Sequence, residues 1–197
     1  ARYGDALEVG VRCSRIGNAS MVFAVGIFRG DQLLVSGEMV HVFVDQHTRA
    51  SRAVPQELRD ALQAFEAGKP MVDVRIGPWA ELGRDAQAIR TAVFIQEQKI
   101  PEALEWDEAD AECVHAVACN RLGMPLATGR LLEHVPGVAK IGRMAVSQAV
   151  RGSGVGRAVL DALMNAARDR GDREALLHAQ LGAMPFYVRA GFAERGP

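Results

Sequence analysis

The chain has 197 residues, enough for one large domain or two small ones. Hydrophobic residues make up 49% of it and charged residues 24%, as in ordinary soluble globular proteins. The formal net charge of −1 provides no strong field that would attract nucleic acid or an anionic membrane. No apolar run approaches the roughly 20 residues that span a bilayer, and the N-terminal residues lack the apolar core of a signal peptide.

The three cysteines do not form a metal-binding or disulfide pattern. Cys13, Cys113 and Cys119 contain no C-x-x-C pair and no cluster with histidine. A secreted disulfide framework would have an even number of cysteines at close spacing. We therefore expect reduced thiols in a cytoplasmic protein, and no metal site.

Residues 1–47 show the alternating hydrophobic pattern of β-strands. The predicted strands cover residues 6–15, 20–29 and 32–45. Turn residues separate them: Gly17 followed by Asn18, and Gly30 followed by Asp31. Such short connections predict an antiparallel meander.

A helix is predicted over residues 56–67, because Pro55 favours a helix start and apolar residues then recur with helical spacing. Gly68 ends it, and a proline follows two residues later. We place a domain boundary here, between a first domain of residues 1–68 and a second domain of residues 72–197.

The pattern changes after residue 72 to strands mixed with longer helices. The predicted strands cover residues 72–76, 113–120, 125–134, 138–146 and 175–179. The predicted helices cover residues 85–97, 154–170 and 183–189. A segment rich in Pro, Glu and Asp, residues 101–112, is predicted to be a loop.

Three glycines stand at alternate positions where strand 138–146 passes into helix 154–170. The segment 151–157 reads Arg-Gly-Ser-Gly-Val-Gly-Arg. Glycines let backbone N–H groups close on an anion, and a helix N-terminus adds unpaired donors and a positive dipole end. Since Arg151 and Arg157 add positive charge, the segment is suited to hold phosphate oxygens.

Other interpretations of this loop are open on its sequence alone. A Rossmann dinucleotide loop follows the first strand of its domain, whereas this loop comes after several strands. A P-loop requires Gly-Lys-Ser/Thr, and no lysine follows Gly156. The third alternative is a flexible glycine turn that binds nothing.

Two spaced signatures resemble those of the GNAT N-acetyltransferase superfamily. Segment 151–156 matches its R/Q-x-x-G-x-G/A signature. About thirty residues further on, segment 183–192, Ala-x-x-Phe-Tyr-x-x-x-Gly-Phe, resembles its second signature. The stretch 90–98, with the acidic residues of 105–110 and His115, looks similar to the ElaA-like branch. The resemblance covers the whole second domain, although GNAT domains usually carry another strand or two after the Gly-Phe pair.

The resemblance implies an α+β protein whose second domain holds a mixed GNAT sheet. It implies transfer of an acetyl or other acyl group from acyl-CoA, with acetyl-CoA as co-substrate, to a small-molecule or peptide amine by direct attack. In the family, the strand before the glycine loop splays from its neighbour and pairs with the pantetheine arm, a role implied here for Met144 and Val146. The implied CoA-binding residues are Met144, Ala145, Val146, Arg151, Gly152, Ser153, Gly154, Val155, Gly156 and Arg157.

The second signature implies that Tyr187 lies near the thioester sulfur, where a phenol can protonate the departing thiolate. The amine must lose a proton, since its ordinary pKa is near 10. Glu97 and His178 are the first candidates for the base. Further candidates, each also interpretable as a structural residue, are Glu105, Asp107, His115 and Glu133. The acidic segment 102–110 is either a solvated loop or a surface that recognises a cationic acceptor.

The first segment is similar to the latter part of a hot-dog thioesterase of the YbgC or 4-hydroxybenzoyl-CoA type. The matching positions are 3–9, 17–20, 37–38, 43–45 and 55. The first strand and long central helix of that fold have no counterpart, so no catalytic residue is assigned to this segment. Because a sheet with an apolar face needs a cover, we expect a longer parent protein or a homo-oligomer formed through this sheet.

Three hypotheses about function follow. The first is a fusion of a partial hot-dog segment with an acetyltransferase. The second is a bifunctional protein whose complete parent also hydrolyses acyl-CoA thioesters. The third is a regulatory module that binds CoA without turnover.

Overall fold

A three-stranded antiparallel sheet forms the centre of the first unit, residues 1–71. In the computed structural model, which describes residues 1–196, a second unit starts at Val72. The elements of the first unit are β1 (Glu8–Ile16), β2 (Ser20–Arg29), β3 (Gln32–Val42) and α1 (Gln56–Glu66). β1 pairs with β2 and β2 with β3, so the predicted meander is confirmed.

β3 ends at Val42, short of the predicted residue 45. The carboxylate of Asp45 accepts hydrogen bonds from the backbone N–H groups of His47 at 3.0 Å and Thr48 at 2.9 Å. An aspartate that bonds the backbone just after it stabilises a turn, which explains why the extended strand does not continue to Asp45.

The first unit buries few apolar side chains, namely those of Met21, Val22, Val54, Ala61 and Ala64. α1 is fixed partly by polar contacts, since the Arg59 guanidinium donates to the carbonyls of Gly17 at 2.6 Å and Asn18 at 2.9 Å. Both outer strands leave large apolar side chains exposed: Val9, Val11, Leu33, Val35, Met39, Val40 and Val42. The single helix therefore leaves much of the sheet uncovered, and a hot-dog fold for this unit stays a prediction.

The second unit contains a five-stranded sheet whose strands follow in chain order. They are β4 (Val72–Pro78), β5 (Val114–Asn120), β6 (Pro125–Val135), β7 (Val138–Val146) and β8 (Glu174–Leu176). The helices are α2 (Trp79–Arg90), α3 (Glu102–Glu105), α4 (Val155–Arg170) and α5 (Met184–Arg189). Neighbouring strands are antiparallel except β7 and β8, which are parallel, so the predicted mixed sheet is confirmed.

The helix after β4 begins at Trp79, and the predicted start at residue 85 was wrong. Pro78 stands extended at its N-cap position, with φ −74° and ψ 164°, so the chain passes from strand to helix without a loop. α2 then continues as a π-helix, Thr91–Glu97. The predicted loop 101–112 contains α3 and a turn of 3₁₀-helix, Glu108–Ala111.

Helices cover both faces of this sheet. On one face Leu82 and Ala86 of α2 pack against Val117 and Cys119. On the other, the buried side chains of α4 join an apolar cluster from the sheet: Ala116, Ala118, Leu126, Ala127, Leu131, Ala139, Ile141, Val155, Val159, Leu160, Leu163 and Ala167. Burying one such aliphatic side chain contributes about 1.5–3 kcal/mol, so this core holds β7 and α4 together. Within residues 1–196, no helix is both long and apolar enough to cross a membrane.

Candidate active site

The glycine loop ends in left-handed backbone that only glycine adopts easily. Gly152 has φ +82° and Gly154, at the N-cap of α4, has φ +87°. No heavy atom lies within 4 Å of a Cβ built on either glycine, so the space in front of the loop is open. The first turn of α4 presents backbone N–H groups without intrahelical acceptors. The loop therefore offers donors to a negatively charged group.

Gly156 has a different reason to be glycine. A Cβ at this position would lie 3.0 Å from Cγ2 of Val146 and 3.9 Å from the Phe186 ring. The absence of a side chain lets the first turn of α4 approach the end of β7. The loop, the end of β7 and α5 therefore meet at one place.

β7 and β8 separate along the sheet. They pair only over Val138–Lys140, opposite Glu174–Leu176, and the predicted extension of β8 to residue 179 was wrong. The end of β7, with Met144, Ala145 and Val146, lies beyond this pairing. Its backbone groups on the side of β8 are therefore not paired with β8, and we call this unpaired edge the gap between β7 and β8. The Val146 carbonyl accepts a hydrogen bond from Arg151 Nε at 3.1 Å.

Tyr187 lies on α5, directly after Phe186, whose ring is near Gly156. Its ring contacts Phe186, with centroids 4.9 Å apart, and Phe192, with centroids 6.0 Å apart. Both rings belong to the fringe of the α4 core, as do Met144 and Val146. Burial raises the pKa of the Tyr187 phenol, which therefore keeps its proton at neutral pH.

Glu97 is paired with the loop. Its carboxylate accepts two hydrogen bonds from the Arg151 guanidinium, at 2.7 and 2.6 Å. These bonds lower the pKa of Glu97, which favours its charged form. The second arginine of the loop is also engaged, because Arg157 Nε donates to Asp161 at 2.8 Å.

His178 is exposed and lies just after β8. The side-chain amide of Gln180 donates to Gln98 Oε1 at 2.9 Å. Since Gln98 follows Glu97 directly, this bond brings together the two segments that carry the first candidates for the base. Glu133, near the end of β6, is exposed.

Two carboxylates of the acidic segment, those of Glu105 and Asp110, are buried, whereas the Asp107 side chain is 36% exposed. Arg90, which is 1% exposed, donates to Glu105 at 2.6 Å and to Asp110 at 2.7 Å. Arg130 donates to Asp110 at 2.7 Å and to Asp107 at 2.6 and 2.7 Å. The guanidinium of Arg90 also stacks on the Trp106 ring, 4.6 Å from its centroid.

This ionic cluster shifts the pKa values of its members. Burial opposes the charge on Asp110, but the hydrogen bonds from Arg90 and Arg130 outweigh it and hold the pKa below its ordinary value. The bonds from Arg130 lower the pKa of Asp107. Burial lowers the pKa of His115, whose Nε2 lies 2.8 Å from the Asp110 carbonyl.

This ionic cluster was not predicted from the sequence. The sequence interpretation left the acidic segment as a solvated loop or an acceptor surface, whereas Glu105 and Asp110 are buried and paired. The available signal was Arg130, a charged residue inside a run of strand residues that are otherwise buried and uncharged. In the part of the chain that the structure describes, no group of three or more His, Cys, Asp and Glu side chains is arranged to hold a metal ion.

Comparisons with known proteins agree with this geometry. Residues 79–192 match the model of the acetyltransferase (GNAT) family, and residues 1–36 match that of the thioesterase superfamily. The uncharacterized N-acetyltransferase YjcF of Bacillus subtilis is 36% identical over 109 residues, which cover 55% of this chain and 76% of that protein.

Solved structures have the same fold as the second unit. An acyl-CoA N-acyltransferase from Pseudomonas aeruginosa is 32% identical with a TM-score of 0.55, over 61% of this chain and 88% of that one. Escherichia coli ElaA shares the fold at 24% identity, with a TM-score of 0.56, over 64% of this chain and 95% of that one. The chain therefore belongs to the GNAT acetyltransferase family, whose enzymes transfer acyl groups from acyl-CoA.

Proposed function

We propose that the second unit transfers an acetyl group from acetyl-CoA to a primary amine of a small molecule or peptide by direct attack. One observation carries this proposal: the unpaired end of β7, the glycine loop and α5 meet at Gly156, where Val146 and Phe186 lie near the loop and Tyr187 follows Phe186 in the chain. A phosphate-binding loop, an unpaired strand edge and a proton donor are what a bound acyl-CoA thioester requires.

The pyrophosphate of CoA is assigned to the glycine loop. Gly152 and Gly154 leave open space in front of the backbone, and the start of α4 supplies N–H donors. The proposed contacts are those of Arg151, Gly152, Ser153, Gly154, Val155, Gly156 and Arg157. To contact phosphate with their side chains, Arg151 would have to leave Glu97 and Arg157 would have to leave Asp161, so we expect the backbone to supply most of the binding.

The pantetheine arm is assigned to the gap between β7 and β8. An extended ligand that pairs with a free strand edge forms hydrogen bonds as an added strand would. Met144 and Val146 would supply these backbone groups, because those of Ala145 between them point toward β6. The Val146 carbonyl already accepts from Arg151, so a pantetheine N–H would share or replace that bond.

The chemistry is a single displacement. The amine nitrogen attacks the thioester carbon, a C–N bond forms and the C–S bond breaks. Tyr187, held in its protonated form by burial, gives its proton to the departing thiolate. The amine loses a proton in the same process, and that proton restores the phenol through solvent.

Glu97 and His178 are the proposed acceptors of the amine proton. Glu97 is engaged by Arg151 and must leave that pair before its carboxylate can accept. The exposed imidazole of His178 has no such requirement, which makes it the better placed of the two. Asp107 and Glu105 are less suited, because they pair with arginines in the ionic cluster.

The match of residues 1–36 to the thioesterase superfamily favours a second proposal for the first unit. A protein that contains this unit in complete form would hydrolyse acyl-CoA thioesters. We also propose that a second copy covers the apolar side chains of β3, including Val35 and Val40, to give a homo-oligomer. Sedimentation of the purified chain tests the oligomer, and release of CoA in the absence of any amine by a protein with the complete unit tests the hydrolysis.

The free thiols are consistent with a reducing compartment, and we propose the cytoplasm. Cys113 is buried, which raises the pKa of its thiol to about 11. Such a thiol stays protonated at neutral pH and does not react as a thiolate.

Gly154→Val tests the acyl-CoA site. The substitution forces a β-branched residue into left-handed backbone and fills the open space before the loop, so we expect CoA affinity to fall about tenfold or more. Gly123→Val is the matched control, because Gly123 also has a positive φ (+77°) and no neighbour within 4 Å, but lies in the β5–β6 turn. Equal CoA affinities in the two folded variants would overturn the site.

A further inference from the structure

Arg143 has a backbone conformation that is unusual inside a strand. Its φ is +50°, in the left-handed region, although it lies in the middle of β7. The other non-glycine residues of positive φ, Arg49 and Lys99, lie outside strands. An L-residue with a side chain avoids this region, so an arginine here needs interactions that hold it.

The conformation belongs to a β-bulge. Thr128 pairs with Ala145 and Arg130 with Gly142, so β7 has one more residue than β6 between these pairs. Arg143 and Met144 thus lie opposite Gly129. A Cβ on Gly129 would collide with Sδ of Met144, so this glycine is what allows the Met144 side chain to cross β6. The bulge forms the start of the strand end assigned to pantetheine.

The Arg143 side chain is held by the acidic segment. Its Nη2 donates to Asp107 at 3.1 Å, and its Nε donates to the Glu105 carbonyl at 3.3 Å. Asp107 also accepts two hydrogen bonds from Arg130. Arg130 pairs with Gly142, the residue of β7 just before the bulge. The ionic cluster therefore holds both strands of the bulge.

The cluster is electrically neutral, and its core is buried, while the side chains of Arg143 and Asp107 are 29% and 36% exposed. It contains three arginines and three carboxylates: Arg90, Arg130, Arg143, Glu105, Asp107 and Asp110. Arg90 is 1% exposed and Glu105 3%. Since removal of Arg90, Glu105 or Asp110 would leave an uncompensated buried charge, the arrangement of this core is hard to change. Rigid support of this kind is what keeps a binding backbone in one orientation.

We propose that Arg143 is a positioning residue for acyl transfer, locked by Asp107 and Glu105 in the left-handed bulge that aims the backbone groups of Met144 and Val146 into the gap between β7 and β8. This inference rests on the proposed function, because it assigns a purpose to the strand end that binds acyl-CoA there. Arg143 touches neither thioester nor amine and acts through the backbone that follows it.

Two substitutions at position 143 separate the effect of its backbone conformation from the effect of its side chain. Arg143→Ala removes the side-chain anchor and keeps the cost of the left-handed backbone, so the left-handed conformation of the bulge should become less populated. Arg143→Gly removes the same anchor but makes that backbone accessible. We expect kcat/KM for acetyl-CoA to fall about tenfold in the alanine variant, the population ratio that corresponds to the usual cost of left-handed backbone. The glycine variant should recover most of this loss.

Two further variants complete the test. Asp107→Asn weakens the lock from the other side and should lower kcat/KM in the same direction as Arg143→Ala. Arg168→Ala, on the exposed face of α4, controls for loss of an arginine and should match the parent enzyme. Thermal midpoints measured on all four variants allow kcat to be compared for folded protein.

Equal losses in Arg143→Ala and Arg143→Gly would overturn the inference, because they would show that the side chain itself contacts a substrate. Unchanged kcat/KM in folded Arg143→Ala would overturn it as well. Failure of the acyl-CoA site would appear separately, as unchanged CoA affinity in Gly154→Val.

Discussion

The two units use similar apolar strands in opposite ways. In the second unit, helices pack on both faces of the sheet, and Val117 at its centre is 0% exposed. In the first unit, β3 carries the same kind of side chain, yet Val40 is 62% exposed. A hydrophobic pattern therefore identifies a strand face that can be buried, whereas the elements around it decide whether it is buried.

The largest effect is expected from Tyr187→Phe, which tests the catalytic role proposed for the second unit. The change keeps the ring and its packing on Phe186 and Phe192 and removes only the hydroxyl. Because the proton donor acts in the transition state, we expect kcat to fall about 10- to 1000-fold while CoA affinity barely changes. Steady-state kinetics and CoA titration on the same sample measure both.

A hydroxyl that only stabilised α5 would give a different result. The variant would then lose thermal stability and keep its turnover per folded molecule. A stable Tyr187→Phe enzyme with near-normal kcat would remove Tyr187 from the mechanism and leave solvent to protonate the thiolate.

A matched pair of valine substitutions tests whether the sheets of the two units differ in burial in solution. Val117→Thr places a hydroxyl in the buried sheet and should lower the free energy of unfolding by about 1–3 kcal/mol. Val40→Thr makes the same change on β3, whose face the proposed second copy covers, so its cost should approach that at Val117, whereas a cost within about 0.5 kcal/mol would show an uncovered face and contradict the homo-oligomer. Denaturant unfolding measures both. A cost at Val40 as large as that at Val117 would mean that the β3 face is covered in solution, as the homo-oligomer proposal requires.

The ionic cluster predicts a pH dependence specific to the second unit. The folded-state pKa of Asp110 lies below its ordinary value, so its charge contributes stability that is fully present above about pH 4 and is lost as the pH falls through the folded pKa. The thermal midpoint of Asp110→Asn should therefore lie well below that of the parent protein near pH 7. The gap should narrow as the pH falls below 4.

Glu108→Gln is the control, since Glu108 lies exposed in the same segment. Its midpoint should follow that of the parent protein across this range. A gap between Asp110→Asn and the parent that stays constant down to pH 2 would show that the cluster does not depend on the charge of Asp110.

The smallest expected effect comes from removal of residues 1–68. The proposed site contains only residues of the second unit, so the shortened chain should bind CoA within about twofold of the parent affinity. Calorimetric titration of both proteins measures this. Loss of CoA binding from a shortened chain that remains folded would show that the site depends on the first unit.

Much of the fold could be predicted because it is encoded locally. Alternation and turn glycines predicted the presence of all eight strands, although β3 and β8 end earlier than predicted, and the glycine spacing at 152–156 marked the loop before α4. The helix start at Trp79 was missed, since Pro78 joins β4 to α2 without the loop that usually marks such a boundary.

The ionic cluster could not be predicted in this way. Arg90 and Asp110 are 20 residues apart, and Arg143 and Asp107 are 36 apart. Only the folded sheet brings these charges together, and a lone arginine in a strand pattern does not name its partner. The uncovered sheet of the first unit could not be predicted either, because the sequence pattern does not tell how much of a sheet face one helix will cover.

The most direct test of the central claim is a crystal structure with acetyl-CoA bound. We predict pyrophosphate oxygens about 3 Å from the backbone N–H groups of Gly152–Gly156 and the pantetheine arm against Met144–Val146, with the thioester sulfur near the Tyr187 hydroxyl. Density for acetyl-CoA elsewhere, with the glycine loop and the gap between β7 and β8 empty, would contradict the account.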